Sequence, residues 1–404
     1  MPSVAQIVPN EPASSAYSQP HGGRQNISVR FVQDRETNLS DVSSLPPNVV
    51  SPEPLGLSFT LDRLLSFNLG RSIAFGVNRS VDFSCDWSIT FLTKGRVAME
   101  GQRANAEDEL ILSSLPRERG WAIPDLFLFQ EFWCPSILIK EVNIFQKQFQ
   151  AKESDIFVAS FPKSGTTWLK AITFSIVNRQ RFSSIDNHPL LTSNPHQLVP
   201  AVEFMYRGDV HCPTTEPRVF GTHTPFPSLP NSIIDQSNCK IIYICRNPFD
   251  TFVSAWIYFD KIKLEPLSTL KIEEAFEMYC NGIIEFGPWW SHMLGYWKES
   301  MAKPSKVLFL KYEDLKEDVN FEVKKIADFL GFPFTQEEEN KEVIESIIKL
   351  CSFEKMKDSE VNKSGIIYQF LEKKYFFGKG ETRDWEINVG RDKWSWRFML
   401  EGLS

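Results

Sequence analysis

The run DIFVAS (155–160) followed by FPKSGTTW (161–168) decides the reading of this chain. Residues 155–160 form a short apolar stretch with β-branched members, the pattern of a parallel strand buried on both faces. Residues 167–178, TWLKAITFSIVN, carry apolar side chains at helical spacing. A strand that turns directly into a helix presents backbone N–H groups at the helix N-terminus. Gly165 lets a ligand approach them closely, so the turn is suited to an anion. Lys163 adds a mobile positive charge, and Ser164, Thr166 and Thr167 add hydroxyl donors. A tight turn with ordinary caps explains the glycine and threonines, but not a lysine beside three hydroxyl residues and a flanking Trp168. The loop is not a Walker A motif, because Lys163 precedes Gly165 and no earlier glycine is present. It reads as a phosphate cradle without magnesium-nucleotide hydrolysis.

Outward from this loop, strand-like and helix-like segments alternate. Arg218–Thr222, Lys240–Cys245 and Lys306–Leu310 read as strands, and 249–262, 272–285, 289–300, 313–330 and 337–350 read as helices. Asn247 and Pro248 are an N-cap and a first-turn proline. Gly331 and Pro333 form a stop signal. Alternation of this kind predicts the α/β class: a central parallel sheet flanked by helices on both faces. The second strand ends in Arg246, where a nucleotide hydrolase needs a magnesium-holding aspartate.

The 404 residues carry 44 Lys and Arg against 51 Asp and Glu, a net charge of −7, which argues against a general nucleic-acid binder. The seven cysteines are scattered without a CxxC pair, as expected of reduced intracellular thiols rather than a zinc site. No apolar run reaches the length of a membrane span, and the N-terminus does not read as a secretory signal. Residues 1–55 are rich in Ser, Pro, Asn and Gln and read as disordered. The expected division is a disordered or non-native extension over 1–98, a single catalytic domain over 99–385, and an atypical tail over 386–404.

The segment FPKSGTTW resembles the 5′-phosphosulfate loop of the soluble sulfotransferases, which use 3′-phosphoadenosine 5′-phosphosulfate (PAPS). LPRERGW (115–121) and FWCP (132–135) are similar to the plant branch, the flavonol sulfotransferase type. THTPF (222–226), CRNPFDTFVSAW (245–256), KYEDL (311–315) and KGETRDW (379–385) follow in the family's order. The resemblance spans about 115–385 and implies a P-loop-like phosphosulfate-binding fold. The implied reaction is sulfuryl transfer from PAPS to a hydroxyl of a small phenolic, flavonoid, steroid-like or hydroxy-acid acceptor. Adenosine 3′,5′-bisphosphate (PAP) is the other product, and no metal takes part. His223 matches the family's catalytic base, a role that suits a group titrating near neutrality. Lys163 matches the residue that stabilises charge on the leaving group. Loop residues 163–168, Lys163 through Trp168, match the 5′ side of the nucleotide site. Arg246 and Ser254 match the residues that hold the 3′-phosphate, and Trp168, Tyr312, Ser352 and Phe353 match family positions around the adenine and ribose. Lys379 and Gly380 match the last nucleotide motif. The implied setting is cytoplasmic, as a monomer or weak dimer.

The chain also departs from the family pattern. Gly378 stands where an arginine is expected, Arg383 stands in the following Gly-Asp-Trp motif, and Gly221 occupies a lysine position of the animal members. Plant-like members tend to have a small residue at that last position, so it is the altered C-terminal motif that leaves a catalytically impaired PAPS- or PAP-binding homologue as the alternative. Phe161, Phe226, Tyr258, Phe259, Trp289, Trp290 and His292 are candidates for an aromatic acceptor pocket, with a plain aromatic core as the competing reading for most of them.

Overall fold

The computed structural model describes residues 112–388, apart from 209, 210, 265 and 369, together with the backbone of two segments nearer the N-terminus. The chain divides into two compact units, residues 1–82 and 83–404. In the first, β1 (Val4–Ile7) pairs antiparallel with β2 (Val29–Val32). The remainder of 1–98, and most of the tail 386–404, lie outside the described residues.

The second unit opens with an antiparallel meander of β3 (Arg117–Arg119), β4 (Asp125–Phe129) and β5 (Phe132–Pro135). Helix α1 (Ile139–Gln148) leads from it into the central sheet. That sheet is parallel, in the order β7 (Val219–Thr222), β6 (Ile156–Ser160), β8 (Lys240–Cys245) and β9 (Val307–Lys311). The chain leaves β6 for β7 on one side and then crosses to β8 on the other. The carboxyl end of β6 is therefore a topological switch point, where open α/β sheets hold their ligands.

The two-residue period of the strands divides the core between two faces. Ile156, Val158, Ile242 and Ile244 point toward helices α2 (Thr166–Asn178), α6 (Val319–Leu330) and α7 (Val343–Leu350). Phe157, Ala159, Ile241 and Tyr243 point the other way, onto Phe145 of α1 and Tyr296 of α5 (Trp289–Ala302). A third apolar cluster joins Trp121 to α3 (Pro248–Ile262) and α4 (Ile272–Cys280). The parallel sheet with helices on both faces agrees with the sequence reading, the four strands falling within a residue of their expected bounds.

Three helices are shorter than expected. The segment 272–285 ends at Cys280. The segment 313–330 breaks at Asp318, whose carboxylate accepts from Phe321 N at 2.9 Å and caps α6. The segment 337–350 breaks at Glu342, which sits at φ +56°. Among the described residues, no helix is long and apolar enough to cross a membrane.

Candidate active site

The carboxyl ends of the four parallel strands deliver the chemistry. After β6 comes the loop 161–165, after β7 His223, after β8 Arg246, and after β9 Tyr312. Pro162, Lys163, His223, Arg246 and Tyr312 from these ends border one cleft, which is also lined by Gly165, Thr166, Thr167, Trp168, Ser254, Phe353, Gly378 and Gly380. Lys163 holds a left-handed backbone at φ +68° and Gly165 one at φ +108°. A side chain at Gly165 would also run into the Tyr312 ring, with a Cβ 2.7 Å from its Cδ2. Such strain in a non-glycine residue persists only where the surroundings over-determine it. Here the hydroxyls of Ser160 and Thr166 lie 2.6 Å apart and lock the strand end to the first turn of α2.

The Lys163 ammonium lies 3.9 Å from the centroid of the Tyr258 ring. Burial, then the positive charges of Arg246 and Lys261, lower its pKa to about 7. The Arg246 guanidinium stacks over Tyr312 at 4.7 Å and donates to the carbonyl of Glu381. Its Nε is buried without a protein partner. Buried donors of this kind are costly unless something pairs with them. A nucleotide bearing several phosphate-type oxygens fits the donor set. Ser254 borders both this cleft and a neighbouring hollow that Lys261, Lys357 and Lys379 also line.

His223 is held on three sides. Its Nδ1 is 2.7 Å from the carbonyl of Ser160, which can only accept, so the Nδ1 proton is fixed there and Nε2 keeps its lone pair. One carboxylate oxygen of buried Glu203 accepts from His223 N (2.6 Å), Thr224 N (2.9 Å) and both threonine hydroxyls of the turn, Thr222 (2.6 Å) and Thr224 (2.9 Å). His292 accepts from the Tyr243 hydroxyl (3.0 Å) and donates from Nε2 to the carbonyl of His223 (2.8 Å). Burial holds the His223 pKa below its ordinary value, against the upward pull of Glu203 and the Ser160 carbonyl. The imidazole is therefore neutral near pH 7.

A second cavity, largely apolar, lies behind the first. Ala122, Ile123, Ile137, Leu138, Phe204, Phe259, Phe286, Tyr368, Phe370 and Leu371 line it. It shares Pro162, His196, His223, Tyr258 and Phe376 with the first cleft.

Not every expected residue faces the cleft. Ser164 is fully buried and does not line it. Ser352 caps the short helix Phe353–Asp358, accepting from Lys355 N at 3.3 Å. Lys379 pairs with Asp384 at 2.9 Å beside the adjoining hollow. Of the seven acceptor-pocket candidates, only Tyr258 and Phe259 line the apolar cavity. Phe161, Phe226 and His292 are packed in the core. The sequence reading missed Glu203, His196 and the walls at 122–138 and 368–376. The Asn194–Gln197 capping box with Pro195 was a readable sign that His196 sits on an ordered turn.

A strand-end loop suited to an anion, an arginine at the next strand end and a histidine where two cavities meet are the arrangement of a group-transferring α/β enzyme. Residues 153–393 match the family described as the sulfotransferase domain, and the chain belongs to that family. It is 50% identical over 295 residues to cytosolic sulfotransferase 15 of Arabidopsis thaliana, covering 71% of this chain and 82% of that one. Cytosolic sulfotransferase 14 of the same plant is 48% identical over 307 residues, covering 72% and 88%. Among solved structures, a putative steroid sulphotransferase of Arabidopsis thaliana superposes with a TM-score of 0.53 at 45% identity, covering 62% of this chain and 86% of that one. A mouse sulfotransferase complexed with PAP gives a TM-score of 0.51 at 26% identity, covering 68% and 89%.

Proposed function

We propose that this sulfotransferase transfers the sulfuryl group of PAPS to a hydroxyl on an apolar small molecule. The observation that carries the reading is the wall common to the two cavities, with His223 in it and its Nε2 lone pair unblocked. In this reading the acceptor lies in the apolar cavity and the nucleotide in the polar cleft. The acceptor oxygen forms a bond to sulfur as its proton passes to His223 Nε2. The bond from sulfur to the bridging oxygen breaks, and PAP leaves with that oxygen. Lys163 is placed to neutralise the charge that gathers there. Arg246 and Ser254 take the 3′-phosphate, and Tyr312, Trp168 and Phe353 flank the adenine. Loop hydroxyls and amides of Gly165, Thr166 and Thr167 take the 5′ side, and Gly380 shapes the cleft by holding its carbonyl on Tyr312 Oη at 2.7 Å. Ser352 and Ser164 act from behind, as cap and packing, and Lys379 from the rim.

The aromatic and aliphatic lining suits a flat phenol or a steroid-like alcohol. The catalytic unit extends over 99–385, and its site of action is the cytoplasm, where the relatives' names place them. A second reading, nucleotide binding without turnover, is favoured by one observation alone: Gly378 supplies no cation to the cleft. Calorimetric titration with PAP against adenosine 5′-phosphate, followed by a sulfate-transfer assay over phenols and hydroxylated steroids, tests both. Equal affinity for the two nucleotides overturns the first reading, and PAP binding without turnover on any acceptor leaves the second.

A further inference from the structure

Lys170 is a buried cation that the reaction above does not use. It lies one turn into α2, 1% exposed, and its side chain fills the space over Gly221, where a Cβ would overlap its Cε and Nζ. Its Nζ lies 3.3 Å from Nδ1 of His196, and Nε2 of His196 lies 2.9 Å from the hydroxyl of Thr167. Thr167 lines the nucleotide cleft, and His196, stacked on Phe376 with centroids 4.0 Å apart, borders both cavities.

The direction of the protons follows from the donor inventory. In its charged form Lys170 only donates, so Nδ1 of His196 then accepts. Its Nε2 then carries the hydrogen and donates to Thr167 Oγ1, which leaves the threonine's own proton for the cleft. The other tautomer sets an N–H against an ammonium N–H. Without this chain, a threonine in the first turn can give its proton to the imidazole or to a nearby backbone carbonyl. Burial draws the Lys170 pKa down to about 7 and Glu203 draws it up, so an anion arriving at Thr167 favours the charged form.

We propose that Lys170 and His196 are positioning residues that aim the Thr167 hydroxyl proton at the nucleotide's phosphosulfate group. The proposal rests on the reading of the cleft as a PAPS site. The test is a double-mutant cycle on the full chain, with initial rates at varied PAPS and calorimetry with PAP. T167V raises the KM for PAPS about tenfold or more, the worth of one hydrogen bond to a charged group. K170M raises it by a similar factor, and K170M/T167V is no worse than T167V alone. Effects that multiply in the double variant, or a KM unmoved in K170M, overturn the relay. Should K170M fail to fold, His196 decides. The amide of H196Q can replace the Nε2 donor and the ring of H196F cannot, so H196F must raise KM more than H196Q, and equal effects overturn the proposal. Absence of PAP binding by the unaltered protein would sink the nucleotide reading itself, whereas PAP binding with multiplying effects sinks the relay alone.

Discussion

The loops 161–167 and 378–381 line the same cleft and are held by opposite means. The first is fixed by its own packing: two left-handed residues, a hydroxyl pair between strand and helix, and the Tyr312 ring against Gly165. The second hangs from the first side of the site. Tyr312 donates to the carbonyl of Gly380, Arg246 donates to that of Glu381, and the Asp250 carboxylate accepts from Arg383 N at 2.9 Å and Trp385 N at 3.3 Å. Nothing lies within 4 Å of the place where a Gly378 side chain would begin. In the proposed reading the first wall serves the reacting end of the nucleotide, and the suspended wall carries Gly378 and Arg383, where the sequence departs from the expected motif.

The largest expected effect breaks the rigid side. His223→Ala lowers kcat about 10²- to 10⁴-fold, the usual worth of a general base, with PAP affinity nearly unchanged. Sulfate-transfer rates and calorimetry on the same preparation check it, and a matching loss of PAP binding would contradict the assigned role. Next, Arg246→Ala weakens PAP binding about ten- to a hundredfold, since it removes charge-assisted donors. It also frees Glu381, so amide exchange quickens over 378–385, and exchange unchanged there would show that the second wall stands by itself.

Gly378→Arg works in the other direction. The space is open, so the guanidinium costs little strain, and PAP binds about tenfold more tightly. Unaltered affinity would mean that Lys261, Lys357 or Lys379 already meets that need. The smallest effect is on pH. The Lys163 pKa is lowered to about 7 in the free protein, and a bound anion raises it. PAP binding therefore takes up protons, and affinity declines, by a few-fold at first, as pH rises above about 7. Calorimetry in buffers of different ionisation enthalpy reads the uptake, and release of protons would contradict the sign.

The parallel sheet was legible because β6, β8 and β9 are short apolar runs followed by turn or cap signals, and because the loop 160–168 combines residue types that seldom meet by chance. The meander β3–β5 was not. Its turn puts Gln130 at φ +50° and Glu131 at φ +66°, backbone that usually announces itself through Asn or Gly. Helix breaks at Asp318 and Glu342 were equally hidden, since both interrupt amphipathic patterns that continue across them. The apolar cavity was hard to read for a different reason. Its walls come from 122–138, 204, 258–262, 285–286 and 368–376, so no local pattern unites them. Aromatic content alone could not separate Phe259, which faces the cavity, from Phe161, which packs against His292 at 5.5 Å.

Glu203 has a consequence for how such an enzyme changes its diet. A single carboxylate oxygen gathers the turn 222–224 and the Ser160 carbonyl holds Nδ1 of its imidazole, so the fold itself sets the direction of His223. Recognition is thereby uncoupled from reactivity. In the proposed reading, the segments bordering the apolar cavity can be remodelled, one side chain at a time, to admit a new alcohol, while His223 keeps its heading.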